Sequence, residues 1–170
     1  MNTNNKHNKN NKHITQITKI GIIAAMYVAL CLIFAPISYG MIQFRVSEVL
    51  LVLPFYNKKY SISLILGTFI VNIFSPWGII DMVFGTLATV LVCVMIIVLN
   101  NRHLIAITAA VINGIVIGAV IYFMSEEPIV LVLAMATVAV GEFVAVLTGV
   151  LLFMGVEKIN LKFINLLKDL

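Results

Sequence analysis

Long apolar runs, separated by short polar or turn-forming stretches, fill most of the chain between residues 17 and 156. A membrane-spanning helix needs about 20 mainly apolar residues. On that criterion the runs divide into six segments, at approximately 17–36, 37–56, 60–74, 81–99, 103–124 and 128–156. The sequence Ser75-Pro76-Trp77-Gly78 is a turn signal after the third segment, and Pro128 suits the first turn of the sixth helix. The pattern predicts an all-α, integral membrane six-helix bundle.

The two ends of the chain differ from this middle part. Residues 1–13 are rich in asparagine and lysine, a low-complexity composition that predicts a disordered tail and not a cleavable signal. The last residues combine apolar side chains with lysines, which predicts a short amphipathic helix on the membrane surface. The expected organisation is a tail (1–13), a six-span transmembrane domain (14–157) and a surface helix (158–170).

Composition supports the membrane assignment. The chain is 62% hydrophobic and 11% charged, whereas a soluble domain is about half apolar and about a quarter charged. The apolar runs are continuous, so they lack the alternating pattern of an outer-membrane barrel. Cys31 and Cys93 lie inside apolar runs, where they are expected to pack and not to form a disulfide.

The basic residues predict the orientation. Six crossings place both termini on one side, and all but one of the 11 basic residues then share that side: Lys6, Lys9, Lys12, Lys19, Lys58, Lys59, Arg102, Lys158, Lys162 and Lys168. The positive-inside rule makes that side the cytoplasm. The exception, Arg45, lies near the outer side. This distribution predicts a multi-pass protein of the cell membrane with both termini cytoplasmic.

Polar groups within the spans are few. Ionisable side chains inside a membrane cost about 2.5–3.5 kcal/mol each on insertion scales, and they usually mark a functional site. Those in this chain are Arg45, Glu48, Asp81 and Glu142, joined by the amides of Gln43, Asn72 and Asn113. In the six-span arrangement they gather in the outer half and the middle. This layout predicts a pocket open to the outside and not a continuous pore.

Structural interpretations compete with ligand binding at these positions. Arg45 and Glu48 are spaced i and i+3, so they can pair with each other on one helix face. Asp81 follows a turn and suits a helix N-cap or first turn. Asn72 and Asn113 can link helices by hydrogen bonds. For Glu142 the functional interpretation is favoured, because no basic residue is expected at its depth.

Small residues recur every four positions on three helices: Gly21, Ala25 and Ala29; Gly114 and Gly118; Gly141, Ala145 and Gly149. Such stripes let helices approach closely, either within the bundle or against a partner subunit. The sequence has no P-loop, metal-ligand cluster or Ser/His/Asp set. We therefore expect no enzyme activity, no metal or cofactor and no energy source in this chain.

Three stretches resemble one family. They are IIAAMYVAL (22–30), APISYGMIQFRVSEVLLVLPF (35–55) and NIFSPWGIIDMVFGTLATVL (72–91), and they resemble the QueT family, whose members are substrate-binding S components of energy-coupling factor (ECF) transporters. The resemblance implies a six-helix membrane protein that binds a vitamin-like substrate, here a 7-deazaguanine precursor of queuosine, from outside. It further implies docking, through the stripe Gly21, Ala25 and Ala29, on a membrane T component with two cytosolic ATPases. No nucleic-acid partner is implied.

The implied substrate suggests roles for the polar residues. Glu142 and Glu48 are the candidates to accept the N–H donors of a guanine-like edge or to hold a cationic aminomethyl group. The other candidate substrate-binding residues are Asn113 and Gln43 for the base edges, Tyr39, Phe44 and Trp77 for stacking, and Asn72 and Asp81. Arg45 is expected to hold Glu48 in place. Two alternatives stay open: an S component for a different vitamin, and a membrane scaffold subunit without transport activity.

Overall fold

The computed structural model describes residues 3–35, 44–75, 77–125 and 130–168, with side chains from residue 13 onward. All regular secondary structure in this part of the chain is helical. The elements are α1 (Thr3–Ile33), a first 3₁₀ helix (Val46–Val52) that continues into α2 (Leu53–Tyr56), α3 (Tyr60–Asn72), α4 (Ile79–Leu99), a second 3₁₀ helix (Arg102–Leu104) that continues into α5 (Ile105–Met124), α6 (Leu131–Ile159) and α7 (Leu161–Lys168). The all-α prediction is confirmed.

Among the residues that the structure describes, four helical segments are long and apolar enough to cross a membrane: His13–Ile33, Ile79–Leu99, Arg102–Met124 and Leu131–Ile159. They correspond to the first, fourth, fifth and sixth predicted spans. The other two predicted spans coincide with shorter apolar helices, Val46–Tyr56 and Tyr60–Asn72. Each of these is about 20 Å long, against a hydrocarbon core of about 30 Å. The count of six crossings therefore stays a prediction.

The second predicted span differs most from expectation. Its described part begins with a 3₁₀ helix and not an α-helix, and residues 36–43 lie outside the described part of the chain. Most of the 3₁₀ helix is buried, and its Val49 backbone lies against Gly149 of α6, where a Cβ would come within 2.8 Å of Val49 Cα. Irregular backbone is tolerated at membrane depth only where protein covers it, as α6 does here.

The small-residue stripes of α5 and α6 lie inside the bundle. A Cβ at Gly114 would come within 2.9 Å of Ala139 Cβ, and one at Gly118 would come within 2.8 Å of Met135 N. These two stripes therefore pack helix against helix within the chain.

The buried apolar side chains form two cores. The larger core forms around Tyr27, Leu51, Leu64, Val92 and Val146, and the smaller one around Ala88, Ile117, Ile121, Ala134 and Val138.

Several contacts gather basic segments at one end of the bundle. Lys19 Nζ donates to the Leu166 carbonyl at 3.2 Å, and Asn57 Nδ2 donates to the Lys168 carbonyl at 2.8 Å. Arg102 forms an ion pair with Glu157 at 2.9 Å. The contacts tie α1, the α2–α3 connection and α7 together, and the Arg102 pair joins the start of α5 to the end of α6. We call this the basic end of the bundle.

The two terminal segments can be compared with expectation. The predicted amphipathic helix is formed as α7, which buries Ile164 and Leu167 against the bundle. Helix α1 begins at Thr3, so the segment expected to be disordered has a helical backbone. Extending an existing helix requires no new nucleation, which gives a physical reason for this difference. The division into tail, six-span domain and surface helix stays a prediction.

Candidate functional site

A polar cluster lies in the bundle interior and contains six of the predicted site residues. They come from five separate parts of the fold and are all buried: Arg45, Glu48, Asn72, Asp81, Asn113 and Glu142. Each one contacts or interacts electrostatically with at least one other member. Charged groups in an apolar interior are costly unless paired. We call this set the carboxylate cluster, and its contacts form two connected halves.

In the first half, Arg45 binds Asp81. Arg45 Nη2 lies 3.4 Å from Asp81 Oδ2, and both side chains are almost completely buried. Asn72 Nδ2 donates to the Asp81 carbonyl at 3.0 Å, and Gly85 leaves room for that amide, because a Cβ there would collide with Asn72 Nδ2. Asp81 occupies the first turn of α4, as expected. The contacts join the start of the 3₁₀ helix to α3 and α4.

This geometry corrects the predicted pairing of Arg45 with Glu48. Among the described residues, the carboxylate within ion-pair distance of Arg45 is that of Asp81. Arg45 precedes the 3₁₀ helix with an extended backbone (φ −84°, ψ 103°). The i, i+3 argument requires both residues to be helical, so it does not apply to this pair. Glu48 remains close enough to Arg45 to interact with it electrostatically.

In the second half, the hydrogen-bond partners of Glu48 and Glu142 are neutral side chains. The Tyr27 hydroxyl on α1 donates to Glu48 Oε1. The Asn113 side chain on α5 forms a hydrogen bond with Glu142 on α6, and Glu142 interacts electrostatically with both Glu48 and Arg45. The structure therefore brings these two carboxylates together from segments almost a hundred positions apart in sequence.

The cluster carries more acceptors than donors. Its formal charges are one guanidinium and three carboxylates. Glu48 Oε2, Asp81 Oδ1, Glu142 Oε2 and Asn72 Oδ1 are buried acceptors without a hydrogen-bond partner among the residues that the structure describes. Against these four acceptors, Arg45 Nε is the buried donor of the cluster that is unpartnered within the same residues. A buried, unsatisfied polar atom costs about 1–3 kcal/mol, and more when charged. The arrangement therefore suits a ligand that supplies N–H donors, a positive charge or both.

The other predicted substrate-binding residues are only partly described. Phe44 and Trp77 are half-buried, and Trp77 packs against the smaller core. Their stacking role stays a prediction. Tyr39 and Gln43 lie outside the described residues.

The stripe on α1 differs from the other two. Gly21, Ala25 and Ala29 are all exposed, and a Cβ at Gly21 would meet nothing within 4 Å. Tyr27, between the two alanines, is fully buried. Helix α1 therefore contacts the carboxylate cluster on one face and presents small residues on the opposite face.

Tyr27 is a site residue that sequence reasoning missed. It lies in the stretch 22–30 that carries the family resemblance, which implies no role for it. A usable signal existed, because a tyrosine in an apolar helix usually finds a hydrogen-bond partner for its hydroxyl. The identity of that partner depends on how the helices pack.

Comparison with known proteins identifies a group of relatives. A family model described as QueT transporter matches residues 17–158. The protein "Queuosine precursor transporter QueT" of Lactococcus lactis subsp. cremoris (strain MG1363) is 42% identical over 86 residues, which cover 49% of this chain and 50% of that relative. The chain thus matches about half the length of this curated relative. No solved structure matches the chain significantly.

Proposed function

Because the chain belongs to the QueT transporter family, we propose that it is the substrate-binding membrane subunit, or S component, of an ECF importer and captures a 7-deazaguanine precursor of queuosine from outside. The observation that carries this proposal is the carboxylate cluster, with its surplus of buried acceptor oxygens. The name of the matched relative supports the substrate class. In this assignment the chain itself catalyses no reaction.

The chemistry of the cluster complements such a substrate. A guanine-like edge presents adjacent N–H donors, which one carboxylate can accept in a forked arrangement. An aminomethyl group on the deazapurine adds a cation, which a second carboxylate would bind. We assign these two roles to Glu142 and Glu48, without fixing which carboxylate takes which group. Both retain an unpartnered Oε2 atom within the described part of the chain.

The remaining predicted contacts fit around this pair. Asn113 is hydrogen-bonded to Glu142 and is proposed to contact a base edge as well. Gln43, which lies outside the described residues, is proposed for the remaining base edge. Phe44, Trp77 and Tyr39 are proposed to stack on the ring or cover it. Asp81 would act mainly by holding Arg45, which balances part of the negative charge. Asn72 would act by holding the Asp81 backbone.

The proposed orientation follows from the basic end of the bundle. Lys19, the α2–α3 connection, Arg102 and α7 lie together there, and the positive-inside rule places such a face in the cytoplasm. Both termini are then cytoplasmic. The short helices Val46–Tyr56 and Tyr60–Asn72 must each cross to give six spans, and their extensive burial within the bundle supports this despite their length.

The exposed stripe on α1 supports docking on a partner helix. Gly21, Ala25 and Ala29 form a flat surface that another membrane helix can approach closely. We propose that this partner is the membrane T component, and that two cytosolic ATPase subunits supply the energy.

Binding by the purified protein in detergent tests the substrate. We expect saturable binding of 7-aminomethyl-7-deazaguanine, at least about tenfold tighter than that of guanine, because the amine gains a charged hydrogen bond. Flavin, thiamine and biotin serve as competitors. Tighter binding of one of these would favour an S component for a different vitamin. No bound small molecule, together with copurification of an unrelated complex, would favour a scaffold subunit.

Uptake tests the coupling. Cells that express the chain with the T component and both ATPases should accumulate the substrate, and cells with inactivated ATPases should not. Equal uptake in the two cases would contradict an ECF mechanism.

A further inference from the structure

The Tyr27 hydroxyl reaches the carboxylate cluster from a helix that supplies no predicted substrate contact. It donates to Glu48 Oε1, and the whole side chain is buried. Gly67 of α3 faces its ring, and a Cβ at Gly67 would lie only 2.9 Å from Tyr27 Cδ1 and 3.0 Å from Tyr27 Cβ. Close packing on this side fixes the ring, and with it the direction in which the hydroxyl points.

The two oxygens of Glu48 consequently have different surroundings. Oε1 accepts from Tyr27, whereas Oε2 is buried and has no partner among the described residues. A carboxylate bound at one oxygen loses its freedom to rotate about the last side-chain torsion. A glutamate that is already ordered before the ligand arrives loses less conformational entropy on binding.

We propose that Tyr27 is a positioning residue of the substrate site. Its hydroxyl holds Glu48 Oε1, so that Oε2 is presented to an N–H donor of the ligand. The inference rests on the proposed function insofar as Glu48 binds the substrate. Tyr27 itself does not touch the ligand in this arrangement; it acts through Glu48.

Binding measurements on a double-mutant cycle test this role. Tyr27→Phe keeps the packed ring and removes only the donor, and we expect it to weaken binding of 7-aminomethyl-7-deazaguanine about tenfold. In a Glu48→Ala background the same change should have little further effect, because Tyr27 then has no carboxylate to position. An equal loss in both backgrounds would overturn the proposal, since it would show that Tyr27 acts independently of Glu48.

Tyr60→Phe is the matched control. Tyr60 is also a buried core tyrosine, in α3, and its hydroxyl forms no hydrogen bond with a carboxylate of the cluster among the described residues. We expect its removal to leave the affinity within about twofold. A tenfold loss in this control as well would attribute the Tyr27 effect to general damage to the core.

Infrared spectroscopy gives a second measurement that needs no ligand. The Glu48 carboxyl band can be identified by its loss in Glu48→Gln. It should shift in Tyr27→Phe and not in Tyr60→Phe. If no deazaguanine binds the unmodified protein, the proposed substrate is wrong, whereas an unshifted Glu48 band would refute the role of Tyr27.

Discussion

Arg45 and Asp81 form a buried ion pair that joins the chain just before the first 3₁₀ helix to the first turn of α4. Arg45 Nη2 and Asp81 Oδ2 are 3.4 Å apart, and the residues are 36 positions apart in sequence. Asn72 binds the Asp81 carbonyl from α3. Three segments that line the carboxylate cluster are therefore held by one aspartate.

Asp81→Asn should destabilise the protein strongly. It removes the ionic partner of a buried guanidinium, a change that costs about 3–5 kcal/mol. We expect the melting temperature in detergent to fall by roughly 6–20 °C, at about 2–4 °C for each kcal/mol in a chain of this size. Glu157→Gln is the control, because it breaks the Arg102 pair, which is partly exposed and worth about 1 kcal/mol or less. Equal losses would show that burial of the Arg45 pair has no energetic importance.

Gly149→Ala should separate α6 from the 3₁₀ helix that carries Glu48. The added Cβ would collide with the Val49 carbonyl, and backbone cannot move aside as a side chain can. We expect a loss of about 1–3 kcal/mol together with weaker substrate binding. Gly155→Ala, on the same helix, meets nothing within 4 Å and should be neutral or stabilising by up to about 1 kcal/mol. Unchanged stability in Gly149→Ala would contradict the close approach.

Glu142→Gln should change stability and affinity in opposite directions. The amide keeps a hydrogen-bonding partner for Asn113 but removes a buried carboxylate whose Oε2 is unsatisfied within the described residues. Without ligand we expect a melting temperature a few degrees higher, because the desolvation cost disappears. Affinity for the aminomethyl deazaguanine should fall about tenfold or more. A lower melting temperature without ligand would mean that the native carboxylate is already stabilised.

Much of the fold could be predicted from the sequence because lipid imposes simple rules. The long apolar runs predicted α1, α4, α5 and α6, since a helix is the unit that satisfies its own backbone in a membrane. The 3₁₀ conformation of Val46–Val52 could not be predicted. The segment packs against Gly149 of α6, a contact between residues far apart in sequence that sequence patterns do not reveal.

The members of the carboxylate cluster were easier to predict than their pairings. Ionisable residues are conspicuous inside apolar runs, so Glu48, Asp81 and Glu142 could be identified from the sequence. Sequence spacing alone suggested that Arg45 pairs with Glu48. The observed partner, Asp81, lies on another helix, and such a contact is fixed only by tertiary packing. The same reason explains why Tyr27 was missed.

The exposed stripe on α1 leads to a prediction that separates docking from binding. Ala25 and Ala29 are each two positions from Tyr27, which places them about 200° around the helix from it. Leucines at both alanines would point away from the carboxylate cluster. Ala25→Leu with Ala29→Leu should therefore leave substrate affinity within about twofold and abolish uptake with the T component and ATPases, because a partner helix could no longer approach closely.

Val94→Leu with Val98→Leu provides the matched control for that experiment. These α4 positions are also exposed and four residues apart, but they belong to no small-residue stripe. Leucine there adds bulk on the bundle surface without covering Ala25 or Ala29, so uptake should persist. Loss of uptake in both double variants would mean that any added bulk on the surface impairs the protein. Full uptake in the α1 variant would show that the stripe faces lipid and docks no partner. A docking surface on α1 is supported if the α1 variant loses uptake but still binds substrate, while the α4 variant keeps its uptake.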